Sequence, residues 1–200
     1  MPTRATLWQM DSEEMRAEVT KKLFTVDDYY RMAEVGILKP EDRVELLEGE
    51  IVEMSPIGNR HAGCVNRVND LFTFLFRGKA IVTVQNPARL NQYNEPQPDF
   101  VLAKTRTDYY ASRHPTGEDI YLTVEIADSS LRKDRNIKVP IYARLGIPEV
   151  WIVDLQQDRI LVFRDPTSGD YTTTLTLNRG DSISAQAFPD IIFKVQDVLG

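Results

Sequence analysis

The segment Glu149–Asp154 constrains the fold most, because four consecutive large apolar residues, Val150-Trp151-Ile152-Val153, stand between two acids. Successive side chains of a β-strand point to opposite faces of its sheet, so an uninterrupted apolar run must be covered on both faces. We therefore predict a central strand with protein layers on both sides. A chain of 200 residues is long enough for one α/β domain with a full core.

Helical and extended patterns alternate along the rest of the chain. Helices are predicted after Thr25, which forms a capping box with Asp28, from about residue 60 to residue 77, and from a start between Ser129 and Asn136 to Gly146. Strands are predicted at 44–48, 50–55, 80–85, 89–90, 100–103, 121–127, 159–164, 171–177, 183–187 and 191–195. This order indicates an α/β (α+β) fold with a central mixed β-sheet flanked by helices. Residues 1–22 show no clear period and are predicted to form a flexible N-terminal arm, followed by a single domain over residues 23–200.

Composition excludes several classes of protein. The net charge of −6 argues against a protein that coats nucleic acid non-specifically, since such binding neutralises many phosphates. The sequence has no apolar run of membrane-spanning length and no secretory signal at its start. A single cysteine, Cys64, excludes an internal disulfide and a cysteine-based zinc site. We therefore predict a cytoplasmic protein without a membrane partner.

Charge is segregated along the chain. Residues 131–144 contain five basic residues and one acid, whereas residues 41–53 contain six acids and one base. The basic segment places Arg132, Lys133 and Arg135 close together, and we predict that they contact phosphate. The alternative is a solvated helix face, which is how most charge runs are used.

Two carboxylates are candidate ligands for a divalent metal ion. Glu125 lies inside the β-rich run 121–127, and a charge within an apolar strand must be paired or liganded. Asp99 opens the short apolar run that follows Pro98. If the two strands are neighbours, the acids converge at one end of the sheet, where paired carboxylates suit Mg²⁺ or Mn²⁺. The alternative is a turn-capping Asp99 and a Glu125 that pairs with an arginine.

Other side chains have competing interpretations. His61 lies on the apolar stripe of its helix and could be a core residue or face the site. Asp134 could support the site, but a helix N-cap is the favoured role. The pairs Tyr29-Tyr30 and Tyr109-Tyr110 could stack bases, although half-buried packing is more common for such pairs.

Several blocks of the sequence resemble the restriction-endonuclease-like nuclease superfamily, whose signature is Pro-Asp…(Asp/Glu)-x-Lys, or PD-(D/E)XK. The order and spacing of the blocks are most similar to those of one bacterial family of endonucleases, the Uma-two family. The blocks are Val44-Glu45-Leu46-Leu47-Glu48-Gly49-Glu50-Ile51-Val52, His61, Gln97-Pro98-Asp99-Phe100, Val124-Glu125-Ile126, Asp134 with Lys138, and residues 146–154. Together they span roughly residues 25–195.

The resemblance implies a restriction-endonuclease-like core and metal-dependent cleavage of phosphodiester bonds. Asp99 and Glu125 would match the metal-binding acids, and Glu45 would support the site as an outer ligand or a lysine partner, unless it is a surface charge of its hairpin. One departure is clear, because Ala127 stands where the signature has lysine. The matching lysine would be Lys138 on the following helix, with Lys133 and Arg135 as competing candidates.

The resulting expectation is a Mg²⁺- or Mn²⁺-dependent endonuclease that cuts DNA and leaves a 5′-phosphate and a 3′-hydroxyl. Its catalytic residues would be Asp99, Glu125, Lys138 and Glu45. The alternative is a catalytically weak or inactive nuclease-fold module that binds nucleic acid or a protein partner. A hydrolase of another phosphodiester or a nucleotide also stays open. By analogy with the superfamily, a homodimer is expected, since cutting two strands takes two sites.

Overall fold

The predicted central strand is β6 (Glu149–Asp154), and all six of its residues are buried. It belongs to a six-stranded sheet whose other strands are β3 (Ile81–Val84), β4 (Phe100–Ala103), β5 (Ile120–Ala127), β7 (Arg159–Pro166) and β8 (Tyr171–Asn178). The strand order is β3-β4-β5-β6-β7-β8, with β5 and β6 parallel and every other pair antiparallel. The computed structural model, which describes residues 20–200, therefore confirms the mixed sheet.

One face of the sheet is covered by α2 (Asn59–Leu75) and the C-terminal α5 (Val195–Leu199). Phe72 of α2 lies at the centre of this layer, with its ring centroid 5.8 Å from Phe100 and 6.3 Å from Trp151. The apolar stripe predicted for this helix is confirmed, since Val65, Val68 and Phe72 are buried.

The other face is covered by a helix in three parts. These are α3 (Leu131–Lys133), a π-helical segment (Asp134–Lys138) and α4 (Val139–Arg144). Pro140 has no N–H, and its ring would clash with the carbonyl four residues earlier in a regular α-helix. That carbonyl belongs to Asn136, inside the wider π-helical turn, so the helix continues past the proline. Such π segments occur frequently at functional sites.

The N-terminal part of the described chain contributes a helix and a hairpin. The helix α1 (Val26–Glu34) begins with the predicted capping box between Thr25 and Asp28. The hairpin pairs β1 (Val44–Leu47) with β2 (Glu50–Glu53). Glu48 and Gly49 connect these strands with φ of 51° and 75°, the two-residue turn that the glycine predicts.

Three strand predictions are corrected. Residues 89–90 form a loop whose N–H groups donate to the carbonyls of Pro115 and Asn94 rather than to a strand. The strand predicted at 183–187 is reduced to β9 (Ser182–Ile183), paired with β10 (Phe193–Lys194). The strand predicted at 191–195 is reduced to Phe193–Lys194, because α5 begins at Val195, where Asp197 accepts a hydrogen bond from the Lys194 N–H at 3.3 Å.

The predicted division into an arm at 1–22 and a domain at 23–200 stays a prediction. Residues 1–19 of that arm lie outside the described residues. Within residues 20–200, the helices all lack the combination of length and apolar character needed to cross a membrane.

Candidate active site

Strand pairing brings the two predicted acids together. β4 and β5 are antiparallel neighbours whose register pairs Phe100 with Val124. One residue further along, Asp99 therefore lies opposite Glu125, an arrangement that places side chains within contact distance. Both carboxylates line one cavity of about 150 Å³ at the end of the sheet where β4 begins and β5 ends.

Asp99 is fixed by three hydrogen bonds. Its Oδ1 lies 3.0 Å from His61 Nε2 and accepts from Gln85 Nε2 at 3.1 Å, and its Oδ2 accepts from the Ile126 N–H at 2.8 Å. Burial alone would raise the pKa of Asp99, but the hydrogen bond and charge of His61, together with the hydrogen bonds from Ile126 and Gln85, lower it. Asp99 is therefore an oriented, ionised carboxylate.

His61 faces the candidate site rather than the apolar core. Its side chain is half-buried, lines the cavity and approaches it from α2. The hydrogen bond to Asp99 raises the pKa of His61, against the lowering effect of burial. A protonated His61 donates from Nε2 and holds Asp99 in place.

Glu125 is the most deeply enclosed acid of the cavity. The Lys138 ammonium donates to both of its oxygens at 3.2 Å, and the Tyr142 hydroxyl donates to Oε1 at 2.6 Å. Burial raises the pKa of Glu125 above its ordinary value, and the charge of Lys138 opposes this rise. The apolar residues of β5, Leu122, Val124 and Ile126, point to the opposite face, as the alternation of the strand predicts.

Lys138 reaches Glu125 from the π-helical segment although it is thirteen residues further along the chain. Its ammonium also lies 3.0 Å from Glu45 Oε2, and the residue is only 3% exposed. Burial by itself lowers the pKa of Lys138, but the charges of Glu125 and Glu45 outweigh burial and raise it. Lys138 is therefore a positively charged donor at the cavity wall.

Glu45 is not a surface charge of its hairpin, since it is 1% exposed. Its carboxylate accepts from Lys133 at 2.9 Å and from the Gln97 N–H at 3.2 Å, in addition to its contact with Lys138. Burial would raise the pKa of Glu45, but Lys138 and Lys133 outweigh it and lower the pKa. Glu45 thus supplies the negative charge that holds both lysines.

Asp134 is not the helix N-cap that we expected. It lies inside the π-helical segment, is buried, and accepts a hydrogen bond from the Ser130 hydroxyl at 2.5 Å. Because Ser130, Asp134, Lys138 and Tyr142 follow one another at four-residue intervals, they lie on the same side of the helix. Asp134 therefore lines the cavity beside Lys138.

The other basic residues of this segment separate into two groups. Lys133 lines the cavity and contacts Glu45, whereas Arg132 and Arg135 are exposed to solvent. Of the three candidates for the catalytic lysine, Lys138 alone contacts Glu125 within the described residues. The roles of these bases toward phosphate stay predictions.

Sequence reasoning missed three polar residues that contact Asp99, Glu125 or Glu45. Gln85 contacts Asp99, Tyr142 contacts Glu125, and Gln97 lines the cavity and donates its N–H to Glu45. Tyr142 could have been found from its position four residues after Lys138 on the same helix. Gln97 lies beside the Pro98-Asp99 motif, but the sequence around Gln85 carries no comparable signal.

The residues that line the cavity fit a small divalent cation. Within residues 20–200, no group of three or more His, Cys, Asp or Glu side chains is arranged as a metal site. Mg²⁺ does not need such a cage, since it is usually bound by one or two carboxylates and keeps several waters. Asp99 and Glu125 supply two oxygen-donor carboxylates to one cavity, which is a suitable donor set for Mg²⁺ or Mn²⁺.

A family model and a solved structure match this chain. The family model described as "Putative restriction endonuclease", Uma2, matches residues 26–196. Among solved structures, one titled as a putative nuclease belonging to DUF820 from Anabaena variabilis ATCC 29413 shares the fold, with a TM-score of 0.67 and 14% sequence identity. That match covers 88% of this chain and 97% of the other. The curated proteins give no match.

The family description supports a nuclease function, and the structural match supports a nuclease-like fold. The matched region begins in α1, ends in α5 and contains every residue of the cavity described above. The chain therefore belongs to the Uma2 family, the Uma-two family of the sequence resemblance, whose model is described as "Putative restriction endonuclease".

Proposed function

We propose that the chain is a Mg²⁺- or Mn²⁺-dependent endonuclease that hydrolyses phosphodiester bonds of DNA. The observation that carries this proposal is the meeting of Asp99, Glu125 and Lys138 at one cavity. The three residues come from the start of β4, from β5 and from the π-helical segment, and the Lys138 ammonium lies 3.2 Å from both oxygens of Glu125. Two acids and a lysine at one cavity are the chemical elements of the nuclease signature, in spite of Ala127.

Asp99 and Glu125 would hold the metal ion. A bound Mg²⁺ or Mn²⁺ supplies Lewis-acid polarisation of the phosphoryl group and a more acidic water. Tyr142 orients Glu125 through its hydroxyl, and His61 and Gln85 orient Asp99. Such outer hydrogen bonds usually decide how well ligands are positioned.

Lys138 would stabilise the negative charge that develops on the reacting phosphate. Because Glu45 and Glu125 keep Lys138 protonated, it can donate hydrogen bonds and stabilise negative charge, but it has no lone pair with which to accept a proton. Lys133, Arg132 and Arg135 would contact neighbouring phosphates. We expect water to attack phosphorus and the bond to the 3′ oxygen to break, leaving a 5′-phosphate and a 3′-hydroxyl.

A cleavage assay tests the proposal. Supercoiled plasmid and single-stranded DNA are incubated with Mn²⁺ and the wild type, Asp99→Asn, Glu125→Gln or Lys138→Met. We expect cleavage by the wild type that EDTA abolishes and that each of the three substitutions reduces to background. Cleavage that survives both acid substitutions would exclude this site.

Glu149→Gln is a matched control for the loss of a buried charge. Glu149 is fully buried and paired with Arg164 at 2.7 Å, and it lies at the start of β6, away from the cavity. We expect this variant to cleave like the wild type when equal amounts of folded protein are compared.

The second candidate is a module that binds nucleic acid or a protein without cutting. The occupied hydrogen bonds of Glu125 favour it, because Lys138 and Tyr142 already compensate this acid. DNA binding without cleavage of DNA, nucleotides or a model phosphodiester in Mn²⁺ would support this candidate over the enzyme.

Assembly and location also belong to the proposal. Residues 20–200 contain one cavity with this set of acids and lysine, so cutting both strands would take two copies. We propose a homodimer, which light scattering of the purified protein tests. We further propose a cytoplasmic location, with Cys64 as a reduced, buried thiol.

A further inference from the structure

A second cavity, of about 550 Å³, lies beside α1 and the loop between β4 and β5. Its size is within the range of small-molecule sites, about 300–1,000 Å³. We call it the Glu95 cavity; the side chains that matter for its chemistry are Tyr30, Arg89, Glu95, Tyr110, Arg113 and His114.

Glu95 gives this cavity a buried hydrogen-bond acceptor, and burial together with this carboxylate raises the pKa of the nearby Tyr30 hydroxyl. The residue is 3% exposed, and its Oε2 has no hydrogen-bond partner among residues 20–200. A buried acceptor without a donor costs free energy, and native structures contain few of them. The main chain at Glu95 is fixed, because its N–H donates to the Leu46 carbonyl at 2.9 Å.

Arg113 gives the cavity a fixed flat surface. Its guanidinium donates to both carboxylate oxygens of Asp119, at 2.5 and 3.1 Å, and lies over the Tyr110 ring at 5.6 Å from the ring centroid. A guanidinium held in plane by two such contacts stacks well on another flat group. Tyr30, 38% exposed and hydrogen-bonded to His114 at 3.1 Å, offers a second aromatic ring in the same cavity.

A flat face beside a buried acceptor matches a nucleobase. An ionised carboxylate only accepts hydrogen bonds, so the base must present donors. Guanine presents a ring N–H and an amino group side by side, whereas thymine presents one N–H between two carbonyls. Phosphate is a less suitable ligand for this cavity, because acids offset its positive charge. Asp27 pairs with Arg89 at 2.7 Å, and Glu34 adds a further acid to the lining.

Two smaller cavities share lining residues with the Glu95 cavity and with the candidate active site. The first, of about 240 Å³, shares Tyr30 and Glu95 with the Glu95 cavity, and the second, of about 390 Å³, shares Gln97 with the first. Gln97 also lines the candidate active site. Glu95 and Asp99 are four residues apart, so their Cα atoms are at most about 14 Å apart. A stacked strand rises about 3.4 Å per nucleotide, so this Cα distance spans about four nucleotides or fewer.

We infer that the Glu95 cavity binds an unpaired base of the substrate DNA strand, with Glu95 accepting hydrogen bonds from the base edge and Arg113 stacking on its face. Guanine is the preferred base and thymine is disfavoured. The inference rests on the proposed function for the identity of the strand, since the base would lie a few nucleotides from the bond that is cut.

Binding in EDTA tests this site without any cleavage. Fluorescence anisotropy compares a short labelled oligothymidylate with the same oligonucleotide carrying central guanines, on the wild type, Glu95→Gln, Arg113→Lys and Glu34→Gln. We expect the wild type to bind the guanine oligonucleotide at least about fivefold more tightly, the lower end of one good base-edge contact. Glu95→Gln should lose that preference, whereas Arg113→Lys should weaken binding of both oligonucleotides, because stacking does not distinguish bases.

Glu34→Gln is the matched control, because it removes one carboxylate charge from the same cavity without removing the buried acceptor. It should keep the guanine preference. Equal binding of both oligonucleotides by the wild type, an unchanged preference in Glu95→Gln, or an equal loss in Glu34→Gln would overturn the inference.

The two proposals fail separately. A Glu95-dependent preference without any cleavage in Mn²⁺ overturns the endonuclease reaction and keeps the binding site. Cleavage with no base preference overturns the binding site alone.

Discussion

Replacing Lys138 with methionine should destabilise the fold by about 3–5 kcal/mol, the usual cost of removing one partner of a buried ion pair. The ammonium lies 3.0 Å from Glu45 and 3.2 Å from Glu125, and the side chains of both acids are almost fully buried. Methionine fills most of the volume of the lysine but carries no charge. It therefore leaves Glu45 with Lys133 as its counter-ion and deprives Glu125 of the Lys138 ammonium. For a chain of this size the expected fall in Tm is about 6–20 °C.

Urea unfolding followed by circular dichroism measures this loss, and Lys133→Met is its control. The Lys133 side chain is 22% exposed and contacts the same Glu45, which keeps Lys138, so its loss should cost about 1–2 kcal/mol. Adding Glu125→Gln to Lys138→Met should recover at least about 1 kcal/mol, because the uncompensated acid is then gone. A smaller loss for Lys138→Met than for Lys133→Met would refute the reasoning.

Three further predictions follow from individual contacts. Tyr142→Phe removes the donor 2.6 Å from Glu125 Oε1 and should lower Mn²⁺ affinity about 10–100-fold by calorimetry while the fold is retained; unchanged affinity would contradict a positioning role. Arg113 holds the pKa of Asp119 well below its usual range, so Asp119→Asn should cost about 1–2 kcal/mol at pH 7. The stabilisation from a lowered pKa is complete above the unfolded pKa and is lost as pH falls toward the folded pKa, so this difference should shrink below about pH 4 in urea titrations; a constant difference would count against it. Burial raises the pKa of Cys64 to about 11, so a disulfide reagent at pH 8 should label Cys64 in urea and not in the folded protein; fast labelling of the folded state would be inconsistent with burial.

The pattern of apolar and charged residues along short segments was enough to predict the sheet and to identify Asp99 and Glu125 as candidate site residues. The run 150–153 predicted a strand covered on both faces, and Glu125 stood out as an acid within an apolar strand. The position of Lys138 could not be derived in this way. It depends on a π-helical segment ahead of Pro140, and hydrophobic period alone does not distinguish such a segment from an α-helix.

The residues that sequence reasoning missed or misplaced are those whose environment is set by distant parts of the chain. Asp134 follows Ser129-Ser130 and reads as a cap, but the helix starts earlier and buries it against the cavity. Gln85 reaches Asp99 only because β3 and β4 pair. Glu95 is an ordinary acid of a polar turn in sequence, and its burial becomes visible only when Leu46 pairs with it.

Calorimetric titration with Mn²⁺ tests the central claim most directly, because it asks whether Asp99 and Glu125 form a metal site. The account predicts saturable binding by the wild type and by Glu149→Gln, and loss of that binding in both Asp99→Asn and Glu125→Gln. Since carboxylates must be ionised to bind metal, the wild-type affinity should not increase as pH falls. Mn²⁺ binding that persists in both acid variants, or no binding by the wild type at millimolar Mn²⁺, would contradict the account.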